Sequence, residues 1–351
     1  MAAPNKSVLI LPSLPDPPVP SAFSSAYGPT LTSLLPKLLP SSTKHTARLD
    51  ICLVLDSSYH PSLPRTELFS PLERLLRESY SLVCLVAAQQ GIDLDLPGGL
   101  DVRVFFLHPP SDSANAVPTP LSGPLVDLST LAGSLIPATP VYVPGSETGL
   151  SLATAFSAAF EQVHETKPDV TVVGHGPSTA APPTSPQPAH PARTITVGIT
   201  DQDLLVNKKH ASVLEPWAQR VERTAAFVES ILCFAPAADV VARIRRIDEL
   251  HNPGVNGRIT RYSYTPLPPT TRAALARQSA DESGVVINYT LITDPFGPTI
   301  TDQHITAIVV SAETRAGGAA VNDKRLDKGW QPLEVYEIRQ RLVELAKEGK
   351  L

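Results

Sequence analysis

Two hydrophobic rhythms alternate along the chain. Short apolar runs at 7–11 (SVLIL), 48–55, 100–107 (LDVRVFFL), 169–173 (DVTVV), 193–199 (RTITVGI), 258–264, 285–293 (VVINYTLIT), 305–310 (ITAIVV) and 333–337 predict buried strands. Between them lie stretches with the spacing of amphipathic helices. Leu68, Leu72, Leu75, Leu76, Tyr80, Val83 and Ala87 set one over 67–90, and Trp217, Val221, Ala225, Val228 and Leu232 set another over 216–232. Further helices are predicted over 147–166, 313–328 and 338–349. Strand and helix in repeated alternation imply parallel sheets covered by helices, the α/β class. In such sheets a ligand sits outside the carboxyl ends of the strands.

Proline punctuates this pattern: it fills 37 of 351 positions, against a usual share of roughly 5%. With 42% hydrophobic residues the chain can still bury a core, so the prolines belong to linkers and loops, chiefly 12–20, 109–124 and 176–192. The length suits two domains at roughly 100–200 residues each. A boundary near Pro168 gives a smaller α/β N-terminal domain over 1–168 and a second α/β domain over 169–351.

Charge is uneven. Residues 1–200 hold ten Lys and Arg against fifteen Asp and Glu, whereas residues 201–351 hold nineteen of each. No basic stripe is present, which argues against nucleic acid as a partner. Cys52, Cys84 and Cys233 lie far apart in apolar runs and read as reduced core thiols rather than metal ligands. The run Val8 to Leu11 is too short for a signal-peptide core, and no apolar stretch reaches the roughly 18 residues of a membrane span. The expectation is a soluble cytoplasmic protein.

Three constellations fall at predicted strand ends. The first, residues 199–222, runs from a strand end through Thr200 and Asp201 to the pair Lys208 and Lys209 and then a helix carrying Trp217 and Arg220. Lysines just past a strand end can reach an anion, although on spacing alone a solvated loop pair is the better reading. The second, Thr293 to Pro298 (TDPFGP), is a rigid turn. The third, residues 309–325, delivers Ser311, Glu313 and Thr314 into a helix start, where Gly317 and Gly318 permit close backbone approach and the free N–H groups suit a phosphate. Asn322 and Arg325 follow one turn apart, so both could face the same ligand, although on spacing alone a capped helix with exposed polar residues explains this segment equally.

In order and spacing, VGITDQDLL..KK....L..W..R, DPFGPT and VVSAETRAGG..VN..R...GW.PLEVYEI closely resemble the eukaryotic, fungal-type phosphopantetheine adenylyltransferases of the cytidylyltransferase-like nucleotidyltransferase superfamily. The resemblance covers residues 169–345, and the first 168 residues look like the extra domain preceding the catalytic one. It implies a Rossmann-like parallel sheet of the nucleotidyltransferase type. It also implies a reaction, transfer of AMP from ATP to 4'-phosphopantetheine with Mg²⁺ on the phosphates, yielding dephospho-coenzyme A and pyrophosphate. By motif position Lys208 would meet phosphate charge, supported by Arg220. Gly174, Thr200, Asp201, Ser311, Glu313, Thr314, Gly317, Gly318, Asn322 and Arg325 would line the nucleotide and substrate side. ATP, 4'-phosphopantetheine and other enzymes of coenzyme A synthesis are the implied partners. A fused kinase is not expected: Gly145 to Ser151 is the nearest approach to a phosphate-binding loop, and it is one residue short and lacks the Lys.

The chain departs from the family at two places. Where a His-x-Gly-His motif should open the first helix, it has His175-Gly176-Pro177, with His190 followed by Pro191 and six prolines between Gly176 and Ala192. Each interior proline costs a helix roughly 3 kcal/mol, so the expected crossover helix is replaced by a Pro-rich insert over 176–192. One sheet face should then expose apolar residues such as Val172 and Ile195. Near the end, Ile338 joins directly to Arg339, and the family's Ser-Ser-Thr segment is missing. Both losses remove a phosphate-binding helix start while the flanking sequence resumes, which is the pattern of omitted coding segments. A second reading therefore stands beside the first: a non-catalytic scaffold or binding subunit of a coenzyme A-synthesising complex.

Overall fold

A computed structural model of the chain describes residues 6–14, 20–39, 46–59, 65–94, 98–108, 121, 123–165, 193–206, 214–234, 241, 244–251, 257–265 and 284–338. The chain divides into two units after His164. The strand expected at 169–173, the Pro-rich insert, Val172 and the helix expected over 338–349 lie outside the described residues, as do 15–19 and 109–120 of the other Pro-rich linkers.

In the first unit β1 (Lys6–Leu11), β2 (Ala47–Val54), β3 (Leu100–Leu107), β4 (Leu125–Val126) and β5 (Val141–Tyr142) form one sheet in the order β4-β3-β2-β1-β5, with every pair parallel. Register sets Leu9, Ile51 and Val104 in one row and Ile10, Cys52 and Phe105 in the next, on opposite faces. Both rows are buried. A sheet dry on both faces needs no alternation of polar and apolar residues, which is why these strands read as continuous apolar runs.

The Leu9 row packs with α1 (Pro20–Leu38) and α2 (Arg65–Gln89), which supply Phe23, Tyr27, Leu31, Leu35, Leu75 and Val83 to the same core. The sequence reading missed α1 because Pro29 and Pro36 interrupt it. Burial outweighs that cost: a fully buried large apolar side chain contributes roughly 1.5–3 kcal/mol, and α1 buries five. The carbonyl of Thr32, which Pro36 cannot serve, instead accepts from the Gln90 side chain at 2.8 Å.

Past β4, Asp127 caps the short helix α3 (Leu128–Gly133) by accepting from the Thr130 N–H. After β5, Ser146 accepts from the Gly149 N–H at 3.2 Å and opens α4 (Glu147–Glu165). A Cβ on Gly149 would lie 2.1 Å from the Pro144 carbonyl oxygen, so only glycine fits there. The two-residue strands β4 and β5 and helix α3 are too short to leave a periodic signal.

In the second unit β6 (Arg193–Thr200) and β9 (Val285–Ile292) pair in parallel, while β8 (Ile259–Tyr264) and β7 (Arg245–Leu250) run antiparallel, giving the order β6-β9-β8-β7. The parallel sheet expected here is therefore corrected to a mixed one. β7 has the sequence RRIDEL, and its charges masked it; they suit an edge strand, where they blunt unwanted pairing. Helix α5 (Trp217–Leu232) packs on β6 and β9. A separate parallel pair, β10 (Ala307–Ser311) and β11 (Glu334–Ile338), is joined by α6 (Arg315–Asp327). Ile195 is 40% exposed and Val309 61%.

Candidate functional site

The end of β6 is built around backbone carbonyls. Trp217, at the start of α5, donates its indole N–H to the Ile199 carbonyl at 3.1 Å, and Arg220 donates from Nη1 to the Thr200 carbonyl at 2.8 Å and from Nε to the Glu215 carbonyl at 3.0 Å. The Nη2 of Arg220 is buried with no hydrogen-bond partner among the described residues. A guanidinium held this way keeps its Nη2 nitrogen for an oxygen from elsewhere. Asp201 caps the following 3₁₀ turn (Gln202–Leu205) by accepting from the Gln202 N–H at 2.7 Å, and its own N–H donates to the Ile292 carbonyl at 2.8 Å. The ends of β6 and β9 are thereby tied together.

Just past β9, the TDPFGP turn closes on Asp294, whose carboxylate accepts from the N–H groups of Phe296 and Gly297 at 2.8 and 2.9 Å. Gly297 has φ +51°, a region glycine enters without a Cβ clash. Aspartate in this role is legible in a D-P-x-G turn; its position beside the β6 end is not.

At the end of β10, Ser311 and Thr314 form a capping box: the Ser311 N–H donates to Thr314 Oγ1 at 3.0 Å, and Thr314 Oγ1 donates to the Ser311 carbonyl at 3.1 Å. Arg315 pairs with Glu337 across the β11 end, and that pairing raises the guanidinium pKa. A Cβ on Gly317 would meet nothing within 4 Å, whereas one on Gly318 would lie 3.3 Å from Val335 and 3.6 Å from Val310. Gly317 is thus open, and Gly318 lets α6 approach its sheet.

Asn322 and Arg325 do face one way, but toward the chain itself. Asn322 clamps Leu333 through Nδ2 to its carbonyl (3.0 Å) and Oδ1 from its N–H (2.7 Å). Arg325 is 1% exposed, and its guanidinium donates to the carbonyls of Thr299, Asp302, Gln303, Ile305 and Gln331 at 2.7 to 3.1 Å while lying over the Trp330 ring. Four of these bonds fasten the segment after β9 to α6, and the fifth, to Gln331, holds the turn that follows α6. Thr200, Asp201 and Arg220 meet at one strand end, and Ser311, Thr314 and Gly317 at another. Gly174 and Lys208 lie outside the described residues, and of Glu313 only its place in the 3₁₀ turn Ala312–Thr314 is described.

Sequence reasoning missed a second polar cluster. Glu229 on α5 accepts from Arg245 Nη1 at 2.8 and 3.0 Å and from the Tyr264 hydroxyl at 2.8 Å. Burial, and then the Glu229 charge, push the Tyr264 phenol up; burial does the same to Tyr289. Only the antiparallel hairpin brings these residues together, and no spacing along the chain announces it. Among the described residues no group of three or more His, Cys, Asp or Glu is arranged to hold a metal ion, and no helix is long and apolar enough to cross a membrane.

Comparison with known proteins adds three findings. Over 54 residues, 15% of this chain and 17% of the relative, the chain is 46% identical to the uncharacterized protein C1F12.08 of Schizosaccharomyces pombe. Over 52 residues, 15% of this chain and 34% of the relative, it is 40% identical to the phosphopantetheine adenylyltransferase of Pyrobaculum aerophilum. The chain thus spans well under half the length of either relative, and no solved structure matches it. The family model described as a domain of unknown function, DUF8446, matches residues 1–179. With half of its length under that model, the chain belongs to the DUF8446 family.

Proposed function

We propose that the chain is an adenylyltransferase of the phosphopantetheine type, joining the AMP of ATP to 4'-phosphopantetheine with release of pyrophosphate. The observation that carries this reading is the 40% identity over 52 residues to an enzyme of that name. The three ordered motifs support it, as does Arg220, which holds a buried donor unpaired among the described residues at a strand end where an α/β sheet presents its ligand. In this chemistry a phosphate oxygen of the acceptor attacks the α-phosphorus of ATP and pyrophosphate leaves. The protein's task is to position the two anions and stabilise their charge.

Lys208 and Arg220 would supply cationic donors on the acceptor side, with Thr200 and Asp201 shaping the strand end. Ser311, Glu313, Thr314 and Gly317 would shape the nucleotide side. Gly318, Asn322 and Arg325 would keep α6 in place beside it. Mg²⁺ would arrive on the ATP phosphates and neutralise part of their charge. Purified full-length chain given ATP, Mg²⁺ and 4'-phosphopantetheine is expected to release pyrophosphate, and Lys208→Ala is expected to lower the rate roughly 100-fold with no change in melting temperature. Absence of dephospho-coenzyme A sinks the reading. The missing His-x-Gly-His favours the scaffold alternative in that event, with binding of 4'-phosphopantetheine but no turnover.

A further inference from the structure

Helix α6 meets the proposed site at both of its ends. Its start carries Gly317, just after the capping box of Ser311 and Thr314 on the nucleotide side. Its last turns grip the chain that leaves the acceptor side. β9 stops at Ile292, which pairs in register with Thr200 and accepts from the Asp201 N–H, so the TDPFGP turn begins at the strand end where Thr200, Asp201 and Arg220 meet.

Three basic side chains make that grip. Lys324 sets its Nζ 4.8 Å from the centre of the Phe296 ring, Arg325 serves the carbonyls of Thr299, Asp302, Gln303 and Ile305, and Lys328, the C-cap residue, donates to the Ile300 carbonyl at 2.7 Å. Basic residues in a last turn are ordinarily accounted for by the helix macrodipole, which asks for no particular partner. Here each of the three reaches across to the stretch between Phe296 and Ile305. The backbone of the TDPFGP turn is closed by its own Asp294, and its half-buried aromatic ring is held by the exposed ammonium of Lys324. A helix is a stiff spacer: at about 1.5 Å per residue, Gly317 and Lys324 stand roughly 10 Å apart along its axis.

We propose that Lys324 is a positioning residue for adenylyl transfer: through Phe296 it holds the TDPFGP turn, and with it the acceptor-side strand end, against the helix that carries the nucleotide side. This inference rests on the adenylyltransferase reading and deepens it, because it assigns the alignment of the two substrates to a lysine whose ammonium faces a ring. Direct displacement needs the reacting atoms about 3–3.5 Å apart, and a small misplacement remote from the chemistry lowers the rate without loosening either anion. The signature of such a role is a fall in kcat with both KM values kept.

Steady-state release of pyrophosphate by the full-length chain, given ATP, Mg²⁺ and 4'-phosphopantetheine, tests the role. Lys324→Met keeps an apolar stem and removes the charge, and kcat is expected to fall about fivefold while both KM values stay within about twofold and the melting temperature is unchanged. Lys324→Arg keeps a cation over the ring and should return kcat to within about twofold of the unaltered chain. Phe296→Leu should match Lys324→Met, and the double variant should be no slower than either alone, because all three remove one contact. The amides of Phe296, Gly297 and Thr299, hydrogen-bonded within the turn, should exchange faster in Lys324→Met. An unchanged kcat, a raised KM in its place, no rescue by Lys324→Arg, or additive losses in the double variant overturns the proposal and leaves the adenylyltransferase reading standing. No turnover by the unaltered chain overturns both, and unchanged amide exchange overturns the proposal with or without turnover.

Discussion

Rows buried on both faces across three strands of the first unit's sheet narrow in the second to two residue pairs of β8 and β9, Thr260 with Tyr289 and Ile259 with Thr290. Leu9, Ile10, Cys52 and Phe105 are each 0% exposed, whereas Ile195, Val309 and Val335 stand 40% exposed or more on strands of the second unit. The second unit relies instead on polar clamps: Arg325 on five carbonyls, Asn322 on Leu333, and Glu229 on Arg245 and Tyr264. One α/β layering can thus be held by apolar area or by a few directional bonds. The second solution leaves strand ends and clefts open, which is where binding chemistry can sit.

The comparison can be broken most directly at Arg325. Arg325→Ala is expected to cost the second unit about 4 kcal/mol by leaving buried carbonyls unpaired, and to leave the first unit untouched. Both tryptophans lie in the second unit, so tryptophan fluorescence during denaturation follows it alone, and a midpoint like that of the unaltered chain would refute the clamp. In the first unit Leu9→Ala should cost about 3 kcal/mol by opening a cavity in a packed core, visible as faster amide exchange in β1 with the fluorescence transition unmoved. Coincident loss of both signals would mean that the two units unfold as one.

A smaller effect separates the units by pH. Burial raises the Cys52 thiol from its ordinary value of 9.0, so above that pH the unfolded chain releases a proton that the folded chain retains. Stability is fully present below pH 9.0 and falls by at most about 1.4 kcal/mol per pH unit above it. The buried phenols of both units, Tyr27 in the first and Tyr264 and Tyr289 in the second, are also raised, from 10.0. The first unit should therefore weaken between pH 9 and 10 while the second holds, and Cys52→Ala should remove that difference in an alkaline series of denaturation curves. An unchanged slope in the variant would rule the thiol out as its source.

Legibility followed how much each element depends on distant partners. β3 and β9 carry their own apolar runs, and α2 and α5 their own periodicity, so all four were found within about two residues. Helix α1 was hidden by two prolines whose cost is met by burial against the sheet, and β7 by charges that an edge strand accepts. At the candidate site, the residue types at the strand ends were legible in the motifs. The use of Asn322 and Arg325 was not, because their partners are backbone carbonyls and an N–H, which no residue type advertises.

By itself the sequence determined the α/β class, the strand runs, the placing of polar motifs after strand ends and the resemblance that names a reaction. These follow from local periodicity and residue chemistry, which need no knowledge of what lies across space. Tertiary structure alone decided that the second sheet is mixed, that Arg325 is a clamp, and that the buried Tyr289 hydroxyl has no hydrogen-bond partner among the described residues. Strand direction and register, and the carbonyl a side chain meets, are settled by packing among residues tens of positions apart, for which the linear pattern has no term.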